Sequence, residues 1–391
     1  MKNVCIVTAT RAEYGALKNV INLIDKSNKL NLILVVTGTH LSEKFGRTIS
    51  EIYEDGIKIN KCIDILSNRN DNIGITETIG NASYLFGEFF SENKIDMLVV
   101  CGDRYELLPI CLSALCFKIP IAHISGGEVT EGAIDDSVRH SITKMSYLHF
   151  PACEKYRRRI IQLGENPNRV FNFGDVGVEN VYKISYMTKN ELEEALKIKL
   201  DGKYMSVTFH PVTLDEVLPE VQFKELLQAI EQFEDIKFIF SKANADAGGE
   251  KINTLIDQYV ASHKNAFVFD SLGVVKYLSL LKYSCGIIGN SSSGIVEAPS
   301  LNIPTINIGD RQRGREQAQS IINCMPKKEE IISAIKYALS EEFTGIVMNS
   351  QNPYGLGNTA KNIVDTIEEF LYKDNIELKK SFYDINFGDT L

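Results

Sequence analysis

Residues 1–36 read MKNVCIVTATRAEYGALKNVINLIDKSNKLNLILVV, and three segments stand out in them. Residues 4–7 and 32–36 are short, almost unbroken apolar runs. Between them Leu17, Val20, Ile21 and Ile24 recur at i, i+3, i+4 and i+7, the stripe of an amphipathic helix. Near-continuous apolar strands suit a parallel sheet covered on both faces, so the stretch reads as a βαβ unit. Further runs at 97–101, 119–123 and 170–173 continue the series, and Gly56, Gly102 and Gly174 punctuate element ends. The result is a doubly wound α/β domain. The pattern then restarts with an acidic helical segment at 190–200 and strand-like runs at 205–209, 237–240, 266–269, 285–289 and 305–308. Two Rossmann-like domains are therefore expected, 1–182 and 183–359, with the change of domain near 178–188. No proline-rich or serine-rich linker separates them, so close packing is expected. A helix is expected at 360–372, and the polar segment 373–391 is expected to be a loosely held tail.

The 391 residues carry a formal charge of -9 and are 44% hydrophobic. An acidic surface argues against general nucleic-acid binding, which needs a basic one. It leaves anionic ligands open, because a local cluster of Arg, Lys and backbone amides can hold a phosphate. The eight cysteines show no CxxC spacing, so buried free thiols fit better than a disulfide framework or a zinc site. The first apolar run is about five residues long, too short for a secretion signal. No apolar stretch approaches the ~18 residues needed to span a bilayer. A cytoplasmic protein without membrane attachment is the expectation.

Ligands of open α/β sheets bind at the carboxyl ends of the strands, and chemistry-bearing residues gather after the expected strands. GNSSSGIVE (289–297) joins a strand to a helix through small residues. Its amides and the Ser291 and Ser292 hydroxyls could take a diphosphate, with Glu297 one turn on for ribose hydroxyls. The plain alternative is a serine-capped helix. TRAEYG (10–15) places Arg11 after the first strand, where a surface ion pair with Glu13 is the simpler reading. It contains no GxGxxG, so nicotinamide dinucleotide binding is unsupported. GTH (38–40) carries His40. CGDRYE (101–106) brings Asp103 beside Arg104, as a base, as a partner for positive charge, or as a helix cap. Residues 123–140, HISGGEVTEGAIDDSVRH, crowd four carboxylates (Glu128, Glu131, Asp135, Asp136) and His123, Arg139 and His140 into one glycine-rich loop and the following helix. Proton transfer at carbon needs such groups with pKa values set apart, although acidic residues also favour a helix N-terminus. FHPVT (209–213) offers His210, and IGDRQRGRE (308–316) offers Arg311 with two further arginines.

Taken in order, TRAEYG, TGTH, GDRYE, HISGGE, IDDSVRHSITK, FHPVT, GNSSSG and GDRQ resemble the hydrolysing UDP-N-acetylglucosamine 2-epimerases of bacterial sialic-acid synthesis, over residues 1 to about 370. The resemblance implies the GT-B fold, with the nucleotide between two Rossmann-like domains, a homodimer or homotetramer, and a C-terminal helix packed on the first domain. It implies conversion of UDP-GlcNAc and water to N-acetylmannosamine and UDP through 2-acetamidoglucal, with no metal or other cofactor. Carried over residue by residue, it implies diphosphate contacts from Arg11, His210, Ser291 and Ser292, a ribose ligand in Glu297, and a nucleotide-side role for Arg311. Asp103, Glu128 and Asp135 become acid–base candidates, with His210 also in reach of the leaving group. His40, Arg104, Asp136 and Arg139 become sugar-pocket residues. One departure stands out. Many relatives carry a glutamate directly after His-Ile, where this chain has Ser125. Glu128, Glu131 or a water is then left to take over. Three rivals share the features: a hydrolysing epimerase of a 2,4-diacetamido sugar nucleotide, a non-hydrolysing 2-epimerase, and a GT-B glycosyltransferase or nucleotide-sugar binding protein.

Overall fold

Alternating strands and helices give two units in this computed structural model, which describes residues 1–43, 46–69, 71–130, 134–212, 217–243, 249–270, 272–355, 357–373 and 377–386. The first unit comprises Met1–Glu128, Ile134–Glu179 and Gly357–Leu391, and the second Val129–Ala133 and Asn180–Leu356.

The first unit holds strands β1 (Lys2–Thr8), β2 (Leu30–Thr37), β3 (Lys61–Ile63), β4 (Met97–Cys101), β5 (Ile121–Ile124) and β6 (Leu148–Phe150). They form one sheet in the order β3-β2-β1-β4-β5-β6, parallel throughout. Both faces are covered, which is why the strands are apolar without alternation. On one face Val4 and Ile6 pack with Leu17 and Ile21 of helix Arg11–Asp25 and with Ile363, Ile367, Phe370 and Leu371 of helix Thr359–Leu371. On the other, Cys5 and Val7 pack with Phe86 and Ile110 from helices Asn72–Glu92 and Leu107–Cys116. At about 1.5–3 kcal/mol for each large apolar side chain removed from water, undocking helix Thr359–Leu371 would cost as much as a typical domain's net stability of about 5–15 kcal/mol.

The second unit repeats the plan with β7 (Lys203–Thr208), β8 (Ile236–Ser241), β9 (Ala266–Phe269), β10 (Ile287–Gly289), β11 (Thr305–Ile308) and β12 (Ile321–Cys324). The order is β12-β11-β10-β7-β8-β9, again parallel. Counted from the start of each unit, both sheets read 3-2-1-4-5-6. Each order reverses between its first and fourth strands, β1 and β4 in one sheet and β7 and β10 in the other. Ligand crevices of such sheets open at that reversal, at the carboxyl ends.

Several sequence expectations need correction. Residues 170–173 are not a strand. Val170 makes a single bridge to His149, and Phe171 and Phe173 instead stack on each other and on Phe150. The sheet position belongs to the three-residue β6. Strands β3 and β12 also escaped the reading, since both are short, and β3 exposes Lys61 and Cys62. The helix expected at 190–200 runs Lys189–Leu196 and stops where Lys197 turns left-handed, φ +57°. Residues 377–386 are docked rather than loose: Tyr147 Oη donates to Glu377 O at 2.6 Å and the Tyr383 amide to Gly164 O at 2.9 Å. Of the eight free cysteines, four are buried, while Cys62 and Cys116 are exposed. No helix among the described residues is long and apolar enough to cross a membrane.

Candidate functional site

In the first unit the loops after β4 and β5 converge on Arg139. This residue lies mid-way along helix Ile134–Met145, with its side chain 1% exposed. Its guanidinium makes an ion pair through Nη2 with Asp103 Oδ2. Through Nη1 it reaches Asp136 Oδ1 at 3.2 Å and the carbonyl of Glu128 at 3.0 Å. A planar fork of five donors reaches acceptors spread around it in fixed directions, a spread the compact ammonium of a lysine does not match. Four expected site residues, Asp103, Glu128, Asp136 and Arg139, are thus in one place. Asp136 Oδ2 lies 3.6 Å from His140 Nε2, and burial lowers the pKa of that histidine. Asp135, the neighbour of Asp136 in the first turn, is half-buried. Glu131 lies outside the described residues.

His123 ties two of these loops together. It is fully buried at the centre of β5, with Nε2 2.8 Å from the Gly102 carbonyl and Nδ1 3.2 Å from the Thr143 hydroxyl. Burial pulls its pKa down to about 4. A carbonyl only accepts, so the proton of the neutral ring sits on Nε2 and the Thr143 hydroxyl donates to Nδ1. A Cβ on Gly126 would lie 2.9 Å from both His123 Nδ1 and Thr143 Oγ1, so the loop needs glycine there. Ser125 adopts φ +62°, a conformation that is uncommon for a residue with a side chain.

A buried carboxyl, Glu13, lies close enough to Asp103 and Arg104 to feel their charges. Glu13 is the third residue of helix Arg11–Asp25, whose N-cap Thr10 accepts its amide. Its Oε2 accepts the Ala9 amide at 2.7 Å, and Oε1 has no partner among the described residues. Burial pushes its pKa up to about 8. The Ala9 bond and Arg104 work against this, while Glu106 and Asp103 add to it. Arg104 lies 3.4 Å from Glu106. By sequence alone Glu13 is a surface ion-pair partner of Arg11. The spacing Thr10-x-x-Glu13 is the signal that could have corrected this, since a glutamate at that position folds back over the helix start. Arg11 itself is exposed at that start; burial raises the pKa of Glu51, and Arg11 is near enough to oppose that rise. His40 sits apart from the carboxylates. It is fully buried, with Nε2 3.0 Å from Thr8 Oγ1 and Nδ1 2.8 Å from Thr48 Oγ1, and burial lowers its pKa to about 4.

In the second unit the hub is Asn290, 1% exposed at the end of β10. Its Oδ1 accepts the His210 amide at 2.7 Å and its Nδ2 donates to the His210 carbonyl at 2.8 Å. The Asn290 carbonyl accepts from Arg311 Nη1 at 3.0 Å and Gln312 Nε2 at 2.8 Å. Three loops, after β7, β10 and β11, are locked together by one asparagine. Gly289 precedes it at φ +136°, and a Cβ there would collide with the Thr208 carbonyl of β7. Burial lowers the His210 pKa to about 3, and Arg311 contributes, so this ring is neutral near pH 7. Ser291 caps helix Ser292–Val296, and Glu297 follows as its C-cap. With only five residues that helix has little macrodipole, so any anion binding here rests on amides and hydroxyls rather than on the dipole. The Ser293 hydroxyl is taken by Tyr277 Oη at 2.9 Å.

A family profile described as UDP-N-acetylglucosamine 2-epimerase matches residues 22–368. The chain is 41% identical to polysialic acid biosynthesis protein P7 of Escherichia coli, over 98% of both chains. It is 42% identical to the GDP/UDP-N,N'-diacetylbacillosamine 2-epimerase (hydrolyzing) of Campylobacter jejuni, over 98% of this chain and 99% of that one. Among solved structures, UDP-GlcNAc 2-epimerase from Neisseria meningitidis bound to UDP-GlcNAc superposes with a TM-score of 0.81, covering 94% of this chain and 100% of that one at 20% identity.

Proposed function

The chain belongs to the UDP-N-acetylglucosamine 2-epimerase family, has the GT-B fold and groups with its hydrolysing UDP-sugar members; from that premise we propose that it converts UDP-GlcNAc and water to N-acetylmannosamine and UDP, through 2-acetamidoglucal. The observation that carries the reading is the cluster of Asp103, Asp136 and the Glu128 backbone around buried Arg139. Inverting C2 needs a proton removed from one face of the sugar and delivered to the other. Two carboxyl groups in different surroundings do this naturally. In our reading Asp103, Glu128 and Asp135 share that work, and Arg104, Asp136 and Arg139 hold the sugar. Ser291, Ser292, His210 and Arg11 hold the diphosphate, Glu297 the ribose, and Arg311 the nucleotide side. The C1–O bond breaks as these donors take up charge on the leaving UDP. The C2 proton then leaves to give the glycal, and water adds at C1 with C2 reprotonated. His40, with both ring nitrogens engaged by threonines, supports this pocket from the core. The reaction would serve sialic-acid synthesis in the cytoplasm.

A second reading has a specific observation behind it. The relative named for diacetylbacillosamine is as similar to this chain as the one named for polysialic acid. The substrate would then be a 2,4-diacetamido sugar nucleotide, with the same chemistry at C1 and C2. One experiment separates the readings. The protein is incubated in D2O with UDP-GlcNAc, or with the UDP- or GDP-linked diacetamido sugar, and followed by NMR. Free UDP with N-acetylmannosamine deuterated at C2 is the expected result. Turnover of a diacetamido substrate alone would select the second reading. UDP-N-acetylmannosamine as the only product would assign a non-hydrolysing epimerase, and an intact sugar nucleotide would leave a glycosyltransferase or binding protein.

A further inference from the structure

Helix Ile134–Met145 presents Asp135, Asp136 and Arg139 from its first half, and its far end is held by the C-terminal segment. Lys380 Nζ donates to the carbonyls of Lys144 at 2.9 Å and Ser146 at 2.6 Å, two groups that the helix itself leaves unpaired at its end. The same ammonium lies 2.7 Å from Glu165 Oε2. Three N–H donors thus meet three acceptors, which accounts for the full capacity of a lysine. Glu165 is 1% exposed and also receives Lys144 Nζ at 2.6 Å and His149 Nε2 at 3.1 Å. Burial pushes its pKa up, but the bonds from His149, Lys144 and Lys380 outweigh this and bring it to about 2. The segment around Lys380 is anchored on both sides. Tyr147 holds the Glu377 carbonyl and Tyr383 the Gly164 carbonyl. The Phe382 ring fills the space a side chain on Gly164 would need and lies 5.0 Å from the Lys144 ammonium.

A positive charge at a helix C-terminus opposes the macrodipole favourably, and here that charge comes from a residue 236 positions along the chain from the helix end it caps. The position of the helix along its axis is therefore fixed from outside the sequence that forms it. Arg139 transmits that position directly, because it joins the helix to Asp103 at the end of β4 and to the loop at Glu128. His149, beside His123 in the register of β5 and β6, brings the same cluster next to the strand that leads into the loop at Glu128.

We infer that Lys380 is a positioning residue for the reaction: by clamping the end of helix Ile134–Met145 it sets where Arg139, Asp135 and Asp136 stand relative to Asp103. The inference rests on the reading of those residues as the sugar-side machinery given above. A displacement of about 1 Å at reacting groups can cost on the order of 100-fold in rate, so a loosened helix should lower kcat rather than substrate affinity.

The test compares wild type with Lys380→Met and Lys380→Arg. It measures kcat and KM on whichever sugar nucleotide is turned over, UDP affinity by calorimetry, and amide hydrogen exchange by mass spectrometry. Lys380→Met should lower kcat by about tenfold and leave KM and UDP affinity within about twofold. Exchange over residues 134–146 should quicken, with that of β7 to β12 unchanged. Lys380→Arg, which keeps the charge and the donors, should recover most of the rate. Wild-type kcat in Lys380→Met overturns the inference. So does unchanged exchange over residues 134–146, or faster exchange throughout both units, which would mark general destabilisation. If wild type turns over no sugar nucleotide, the functional reading falls, and the exchange comparison still decides whether Lys380 holds the helix.

Discussion

Arg139 and Asp103 form a direct ion pair although one lies mid-helix and the other at a strand end 36 residues earlier. The pair is asymmetric: the guanidinium is 1% exposed and the carboxylate 27%. The arginine is the buried partner, and Asp103 keeps part of its carboxylate open to solvent. Losing one member of a buried pair typically costs about 3–5 kcal/mol because the other charge is left uncompensated.

Arg139→Lys keeps the charge and loses the fork. A compact ammonium does not match the positions of Asp103, Asp136 and the Glu128 carbonyl, which two separate guanidinium nitrogens reach. We expect kcat to fall about 100-fold and the thermal unfolding midpoint to drop. A variant with normal kcat would show that the convergence of these loops is not needed for chemistry.

Glu128→Gln and Asp135→Asn preserve shape and remove proton transfer. Each should lower kcat by about 10²–10⁴, the range for a general acid or base, with UDP affinity nearly kept. Release of 2-acetamidoglucal by one variant would mean that elimination survives and that the missing carboxyl serves hydration. Normal turnover in both would move the acid–base pair to Asp103 and Glu131.

The nucleotide side is tested by binding alone. Arg11→Ala should weaken UDP binding by about 1.5–3 kcal/mol, the scale of a charged hydrogen bond, read by calorimetry. Asn290→Ala strips the His210 amide and carbonyl of their partners, each about 1–3 kcal/mol when buried and unpaired. It should lower stability and UDP affinity together. Unchanged UDP affinity in Arg11→Ala would remove that residue from the site.

Glu13 supplies a pH signature. Its folded pKa of about 8 lies above the ordinary 4.5, so the folded chain keeps a proton that the unfolded chain releases. Stability from this group is fully present below about pH 4.5 and is lost progressively up to about pH 8. Glu13→Gln cannot ionise, and its amide oxygen can still accept from Ala9. Its thermal midpoint relative to wild type should rise between pH 4.5 and 8 and level off beyond. A difference that stays flat with pH would mean that Glu13 is ionised in the folded protein.

Much of this architecture was legible because a doubly covered parallel sheet writes itself as apolar runs, and β4, β9 and β11 appear at the expected residues. The short edge strands were not legible, because three residues such as 61–63 bury too little to leave a pattern. The candidate site residues could be named from their places after strands, but their partners could not. Nothing in the sequence pairs Arg139 with Asp103, or gives Asn290 both backbone groups of His210 across 80 positions. Burial had the same effect on Glu13 and His40: each is a polar letter in the sequence, and only packing made one a raised carboxyl and the other a neutral core imidazole. Lys380 was hidden for the opposite reason, since it sits in a polar segment whose composition resembles a free tail.

The bond from the Ala360 amide to Glu179 Oε2, 2.7 Å long, closes the first unit at the two points where the chain leaves it and returns. Residues 180–356 are therefore an insert between neighbouring positions of a single host. A bridge of a few residues from 179 to 357 would preserve the host's connectivity, along with helix Thr359–Leu371 and the Lys380 clamp. Recombination at this junction could exchange the part to which we assign the nucleotide while leaving the carboxylates around Arg139 in place. Leaving-group choice and sugar chemistry would then be free to diverge separately among descendants of one gene.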